Sequence, residues 1–456
     1  MQPLNKYLFS SISILGIISL FVIILLTDTP AAFETIIIIA LTFLYAICIK
    51  KELQQNSLYL YIIITFIYLG SATIISQCFS ETDFYLSSDP TRYIAKVHST
   101  TSQSTVLYEL FKTYINFQDN NGLYNAMLGE LGIICHKYNI IPSSLFITLP
   151  QTFFGILTIL TLYRIICLFY DSKKSFKYSL IFSICSLVLL YSCIIVRDII
   201  ITFIFTKGLE IILQKFKTTH LLILIILMLI ACGIRLFSGF FFVLFILYYL
   251  YFALNNKFIK IIVLPIVFII LGGVGMAAFV EDMVSKTTEE VEGYAQWQAD
   301  ASNNDGLSSK LRKLPIGINA IALTLYSQAN PFPPYSTLRN DNLSLPQMYM
   351  SILMTITAIW WYYISYSLIC YFFLNSGYTK IKIKYRYLYA LALLLIIVSS
   401  YMHVDIRRLI PVYPIIYLLY LIYRYKIESI KKINKISNIL WAFYIGLNII
   451  YLIIKP

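Results

Sequence analysis

An all-α, polytopic integral membrane protein is the fold class this sequence predicts, and three observations predict it. Only 12% of the 456 residues are charged while 59% are hydrophobic, about half the charge fraction of an average soluble chain. Apolar runs of 17 or more residues recur from end to end, and about 20 residues of helix cross a bilayer's hydrocarbon core. Finally, the Lys and Arg residues behind the net charge of +13 gather in alternate connections between those runs.

The elements follow from the runs and their punctuation, and number about 12–13 crossings in one transmembrane domain, 1–456. "LFSSISILGIISLFVIILL" predicts a first helix over 8–26; with no small-residue cleavage site behind it, it reads as a retained span. "TDTP" interrupts the pattern before a second helix over 31–49, which stops at Lys50–Lys51. A third covers 58–78. After a long polar connection, 79–144, the runs resume at 145–169, 178–195, 199–214, 219–234, 237–254 and 261–280. A second long connection, 281–345, precedes 347–374, 386–402, 409–424 and 437–454.

Charge placement orients these spans. The short connections, from Lys6 through "DSKKSFK" (171–177) to the 424–435 segment, hold nineteen Lys/Arg against three acids. The two long connections hold nine against fourteen. The positive-inside rule puts the short basic loops in the cytoplasm and both long loops outside. The basic excess is therefore topogenic, which excludes nucleic acid as its explanation. Eight cysteines without a CxxC and four scattered histidines predict neither a disulfide framework nor a metal site. No cofactor is expected.

Charges inside apolar runs are the functional candidates, because burying them in hydrocarbon is costly. At about 1.5 Å per residue, Arg197 lies roughly 30 Å beyond Lys177 on a continuous helix, and Arg235 roughly 27 Å beyond Lys217. Arg407 and Arg408 follow Arg386 by a similar span. Four arginines thus fall near the outer edge, where planar guanidinium forks suit a phosphate or pyrophosphate. Asp198 neutralises Arg197 in the plainest reading. Lys207 and Glu210, three apart, read as an internal ion pair, and Arg164 as a cation reaching the interface.

The outer loops add polar groups. Asp89, Pro90, Arg92 and Tyr93 are expected to form a compact turn carrying a carboxylate, a guanidinium and an aromatic ring, groups that a sugar site needs. Glu81 and Asp83 precede them. "GLYNAMLGELGIICHKYNIIP" (122–142) has helical periodicity and suits the interface. In the second loop Lys310, Arg312 and Lys313 open an amphipathic segment, and Arg339 follows a Pro-rich aromatic turn. Arg312 and Arg339 are candidates for a lipid-linked phosphate.

The order "SSDPTRYI", then "YSCIIVRDIIITFIFTKGLEIIL", then "LIACGIRLFSGFFFVLFILYYL" resembles Wzy-type oligosaccharide repeat-unit polymerases, including the EpsG-like branch. "HVDIRRLIPVYPIIYLL" (403–419) is similar to the Arg-then-Pro helix entry of these enzymes and of GT-C glycosyltransferases. The resemblance implies a polymerase of the bacterial cytoplasmic membrane with its site facing the periplasm or exterior. It would join undecaprenyl-pyrophosphate-linked glycan donor and acceptor into O-antigen or capsule, without a metal. Its partners would be those two substrates, membrane lipid and a chain-length regulator. Arg197, Arg235, Arg407 and Arg408 would clamp the pyrophosphate, with Arg92, Tyr93 and Asp198 near the substrate. Asp89 would be the base, with Asp405 and His403 behind it. A GT-C enzyme moving one sugar from a polyprenyl phosphate is the nearest rival. A lipid-linked glycan flippase is the alternative outside enzymology.

Overall fold

The computed structural model describes residues 3–76, 89–116, 121–254, 310–311, 314–315, 317–329, 343–373, 382–402, 406–426 and 430–454, together with 265, 335 and 338. Among the described residues every regular element is helical. The first six helices are α1 (Pro3–Thr27), α2 (Thr29–Ile47), α3 (Lys51–Ser76), α4 (Asp89–Ser99), α5 (Gln103–Tyr114) and α6 (Gly122–Lys137). Then come α7 (Ser144–Ile166), α8 (Ser172–Cys185), α9 (Leu187–Ser192), α10 (Asp198–Ile212), α11 (Thr218–Ile234) and α12 (Leu236–Ala253). The last are α13 (Ile318–Ala329), α14 (Leu345–Phe373), α15 (Ile383–Met402), a 3-10 helix (Ile406–Val412), α16 (Tyr413–Lys426) and α17 (Ile430–Ile454). Seven of these, α1, α2, α3, α7, α12, α14 and α15, are long and apolar enough to cross a membrane. The expected span 261–280 lies outside the described residues.

The chain forms two compact units. The first comprises 1–111, 121–210 and 334–360. Its α1, α2, α3 and α7 pack on one another, and side-chain caps open α2 and α7. Asp28 caps α2, its Oδ1 accepting from Ala31 N at 3.0 Å, and Pro30 fills the first turn, where its missing N–H costs nothing. Ser143 caps α7 by accepting from Phe146 N at 3.0 Å and donates its hydroxyl proton to Asp28 Oδ2. The two caps thus pin the starts of α2 and α7 to one end of the unit. Lys50 and Lys51 lie at the other.

α7 is the axis of this unit, with nearly all its residues buried. Its threonines 148, 158 and 161 satisfy their hydroxyls on carbonyls four residues back, which permits burial in an apolar helix. Gly155 lets α9 approach: a Cβ there would run into Ser192 and the Tyr68 ring. Gly132 on α6 likewise leaves room for the Val97 and Thr100 carbonyls of α4.

The second unit comprises 112–120, 211–333 and 361–456. In it α11 and α12 form a tight hairpin, and Tyr248 of α12 donates to the Lys384 carbonyl of α15 at 2.8 Å. Helix α13 packs on α15, and Trp361 stacks on Tyr413, rings 3.5 Å apart.

Sequence and structure differ in two ways that bear on function. The segment read as one helix, 178–195, is broken at Ser186, whose backbone is extended (φ −101°, ψ 155°), and the chain turns through 193–197 before α10. And Asp89, Pro90, Arg92 and Tyr93 lie not on a compact turn but on the opening of α4, Asp89 in its first turn, where a carboxylate complements the helix dipole.

Candidate functional site

The first unit carries a polar cluster inside its apolar bundle. On α4, Asp89 and Arg92 sit one turn apart with Oδ1 and Nη2 3.6 Å apart, and the guanidinium carbon lies 5.3 Å from the centroid of the Tyr93 ring. Arg92 is largely exposed, whereas Tyr93 is only 1% exposed and its hydroxyl has no hydrogen-bond partner among the described residues. The Tyr93 ring meets Tyr124 of α6 edge to face, centroids 4.8 Å apart at 83°.

Tyr124 links this corner to the bundle. Its hydroxyl lies 2.8 Å from the Gln151 amide on α7. With the amide oriented so that its nitrogen donates to the Ile147 and Thr148 carbonyls, at 3.1 and 2.8 Å, Gln151 accepts the Tyr124 proton. Burial pushes the Tyr124 phenol well above its usual range. Tyr93 and Asp198 push the same way, and Arg197 opposes them. Both members of the Arg197–Asp198 pair are therefore close enough to act electrostatically on that phenol.

The pair sits where helix gives way to irregular backbone. Thr152 donates to the Ser192 carbonyl at 2.9 Å, holding the end of α9 against α7. Residues 193–196 are buried without being helical, and Cys193 Sγ contacts the Tyr68 carbonyl at 3.7 Å. The Arg197 carbonyl then accepts from Ile200 N and Ile201 N to start α10. Asp198, 1% exposed, occupies the first turn of that helix, where orphan N–H groups favour a carboxylate. Non-helical backbone at membrane depth is tolerated only where protein covers it or a water-filled cavity adjoins it.

Depth follows from α7. Thr152 lies eight residues past Ser144, so the end of α9 meets α7 about 12 Å inside the capped end of the unit. The break at Ser186 interrupts the continuous helix from Lys177 on which the expected position of Arg197 rested.

In the second unit Arg235 is the joint of the α11–α12 hairpin. It is 6% exposed with extended backbone, donating its N–H to the Ala231 carbonyl and accepting from Ser238 N and Gly239 N. Arg407 and Arg408 are half-buried on the 3-10 helix leading into Tyr413. Nearby runs a buried chain: Trp361 Nε1 donates to Gln328 Oε1 at 3.1 Å, Gln328 Nε2 to Ser327 Oγ at 3.2 Å, and Ser327 and Ser400 hydroxyls lie 2.7 Å apart.

The structure thus brings Tyr93, Arg197 and Asp198 together around Tyr124, with Arg92 beside the Tyr93 ring and Asp89 one turn from Arg92 on the same helix. Arg235, Arg407 and Arg408 belong to the other unit. Glu81, Asp83, Arg312, Arg339, His403 and Asp405 lie outside the described residues. Tyr124 and Gln151 were missed by the sequence reading. The signal for Gln151 was a lone amide side chain in "FITLPQTFFGIL"; Tyr124, one of 38 tyrosines, carried none. No protein-family model, curated protein or solved structure matches the chain.

Proposed function

We propose that this protein is a Wzy-type glycan polymerase of the bacterial cytoplasmic membrane, joining undecaprenyl-pyrophosphate-linked repeat units at the outer face. In this reading the shorter helices also cross, giving twelve to thirteen spans, and the connections 79–144 and 281–345 both lie outside. The observation that carries it is the convergence of a loop-borne Arg92–Tyr93 corner with the intramembrane Arg197–Asp198 turn, meeting at Tyr124.

The chemistry suits those groups. An acceptor sugar hydroxyl attacks the anomeric carbon of the donor glycan and a new C–O bond forms. The bond from that carbon to the pyrophosphate oxygen breaks, and the lipid pyrophosphate leaves with the electron pair. Arg197, held on a buried turn, stabilises the charge growing on the departing phosphate without reorganising. Asp89 accepts the hydroxyl proton, and the buried Tyr93 hydroxyl, without a partner among the described residues, is the group a sugar hydroxyl would meet. A lipid-linked substrate reaches such a site sideways from the outer leaflet.

The test is genetic and chemical. Inactivating the gene should abolish the long-chain surface-glycan ladder on a gel and leave lipid carrying one repeat unit. Arg197→Ala should reproduce that pattern at normal protein level. A full ladder from Arg197→Ala would overturn the assignment of the leaving-group site. Loss of the single repeat as well would place the protein at an earlier, single-sugar step.

A further inference from the structure

We propose that Tyr45, Arg164 and Lys207 form a binding site for the phosphate of an anionic phospholipid at the opposite, basic end of the first unit. The reading is independent of the glycan chemistry.

Three helices contribute one residue each. The Arg164 guanidinium of α7 lies flat against Tyr45 of α2, its carbon 3.9 Å from the ring centroid, and donates one N–H to the Tyr45 carbonyl. Lys207 Nζ of α10 is 5.9 Å from the same centroid. The Tyr45 hydroxyl is held by Thr161 Oγ1 at 2.7 Å, which fixes the ring between the cations. Glu210 pairs with Lys207 one turn along α10. Arg164 has no carboxylate within ion-pair distance among the described residues, so the cluster carries one uncompensated positive charge.

Its position selects a lipid. Tyr45 and Arg164 each lie two residues before the end of their helix, about 3 Å inside it along the axis. Lys50 and Lys51 follow the end of α2 there, and Lys173 and Lys174 open α8 just after α7. Arg164 and Lys207 are half-buried rather than covered. Beside them on α2 runs an exposed apolar stripe, Phe33, Ile37, Leu41 and Leu44, at helical spacing. Tyr45 lies on the border between this stripe and the buried face of the helix. A guanidinium with free N–H groups, an ammonium and an adjoining apolar strip together match a phosphate headgroup with acyl chains below it. Basic pockets between spanning helices are sites of this kind.

The test uses the full chain purified in a neutral detergent. Native mass spectrometry would count retained phosphatidylglycerol against phosphatidylcholine at equal mole fraction. Thermal unfolding would be followed with each lipid and with millimolar inorganic phosphate. Wild type should retain phosphatidylglycerol preferentially and gain thermal stability from it. Arg164→Gln should weaken that retention about tenfold, and Arg164→Lys should keep most of it. Lys137→Gln, at the end of α6 beside the opposite end of α7, should leave it unchanged. Equal retention by wild type and Arg164→Gln would overturn the proposal. So would equal protection by free phosphate, which would show a soluble-anion site instead of a lipid site.

Discussion

Replacing Gly155 by alanine tests whether packing around α9 sets the Arg197 turn. The added Cβ would stand 2.6 Å from Ser192 Cβ and 2.9 Å from Tyr68 Cε1, and closer still to Ser192 Oγ. Carbon atoms pack at about 3.5–4.0 Å, so α7 and α9 must separate by about 1 Å. Over-packing of this size costs about 1–3 kcal/mol. The functional effect should be larger in proportion. The Thr152–Ser192 bond ties the end of α9 to α7 only five residues before Arg197, and a 1 Å displacement of a positioning group costs on the order of 100-fold in rate. Thermal unfolding of the purified protein and a chain-elongation assay with lipid-linked repeat unit would read the two effects. Ser192→Gly in the same chain removes the Ser192 part of the clash, leaving the Tyr68 ring, and should recover part of both losses, a coupling of about 0.5–3 kcal/mol. Wild-type stability and elongation in Gly155→Ala, or no rescue by Ser192→Gly, would show that the turn is not set by this contact.

Other outcomes follow from the same geometry. Tyr124→Phe leaves the Gln151 carbonyl oxygen without its donor and should destabilise by about 1–3 kcal/mol, read by thermal unfolding. That phenol ionises less readily in the folded chain than in the unfolded one, so the folded state binds more protons above the unfolded value near 10. Stability should therefore fall as pH rises past about 10, and Tyr124→Phe should flatten the slope. Arg197→Lys keeps the charge but loses the bidentate fork, and should lower kcat more than it raises KM in the elongation assay. Gln328→Ala strands the buried Trp361 N–H and should cost about 1–3 kcal/mol, seen as a lower Tm.

The positions of most helices were legible because apolar runs and charged stops coincide. The run 347–374 is α14, Leu345–Phe373, and 219–234 is α11, Thr218–Ile234, each within two residues. The break at Ser186 was not legible. "FSICSLVLLYSC" holds neither Pro nor Gly, and hydropathy alone does not separate a lipid-facing residue from one packed on α3 and α7. Charges in apolar surroundings were the legible part of the site: Arg197, Asp198 and the Lys207–Glu210 ion pair all stood out by cost. Tyr124 and Gln151 are neutral, and only tertiary contact distinguishes them from other polar residues in spanning helices.

The buried turn also explains why an uncharged pair matters between charged neighbours. Asp198 and Arg197 sit beside a phenol that burial keeps protonated, so Tyr124 is a fixed dipole rather than a third charge. Its ring braces Tyr93, and its hydroxyl is committed to Gln151. The buried Tyr93 hydroxyl, by contrast, has no such commitment among the described residues. A buried polar atom without a partner costs about 1–3 kcal/mol, and a ligand hydroxyl that met it would recover that cost on binding. Tyr93→Phe should accordingly raise thermal stability slightly while weakening acceptor binding. A variant with unchanged KM for the lipid-linked acceptor would show that the hydroxyl faces away from the substrate.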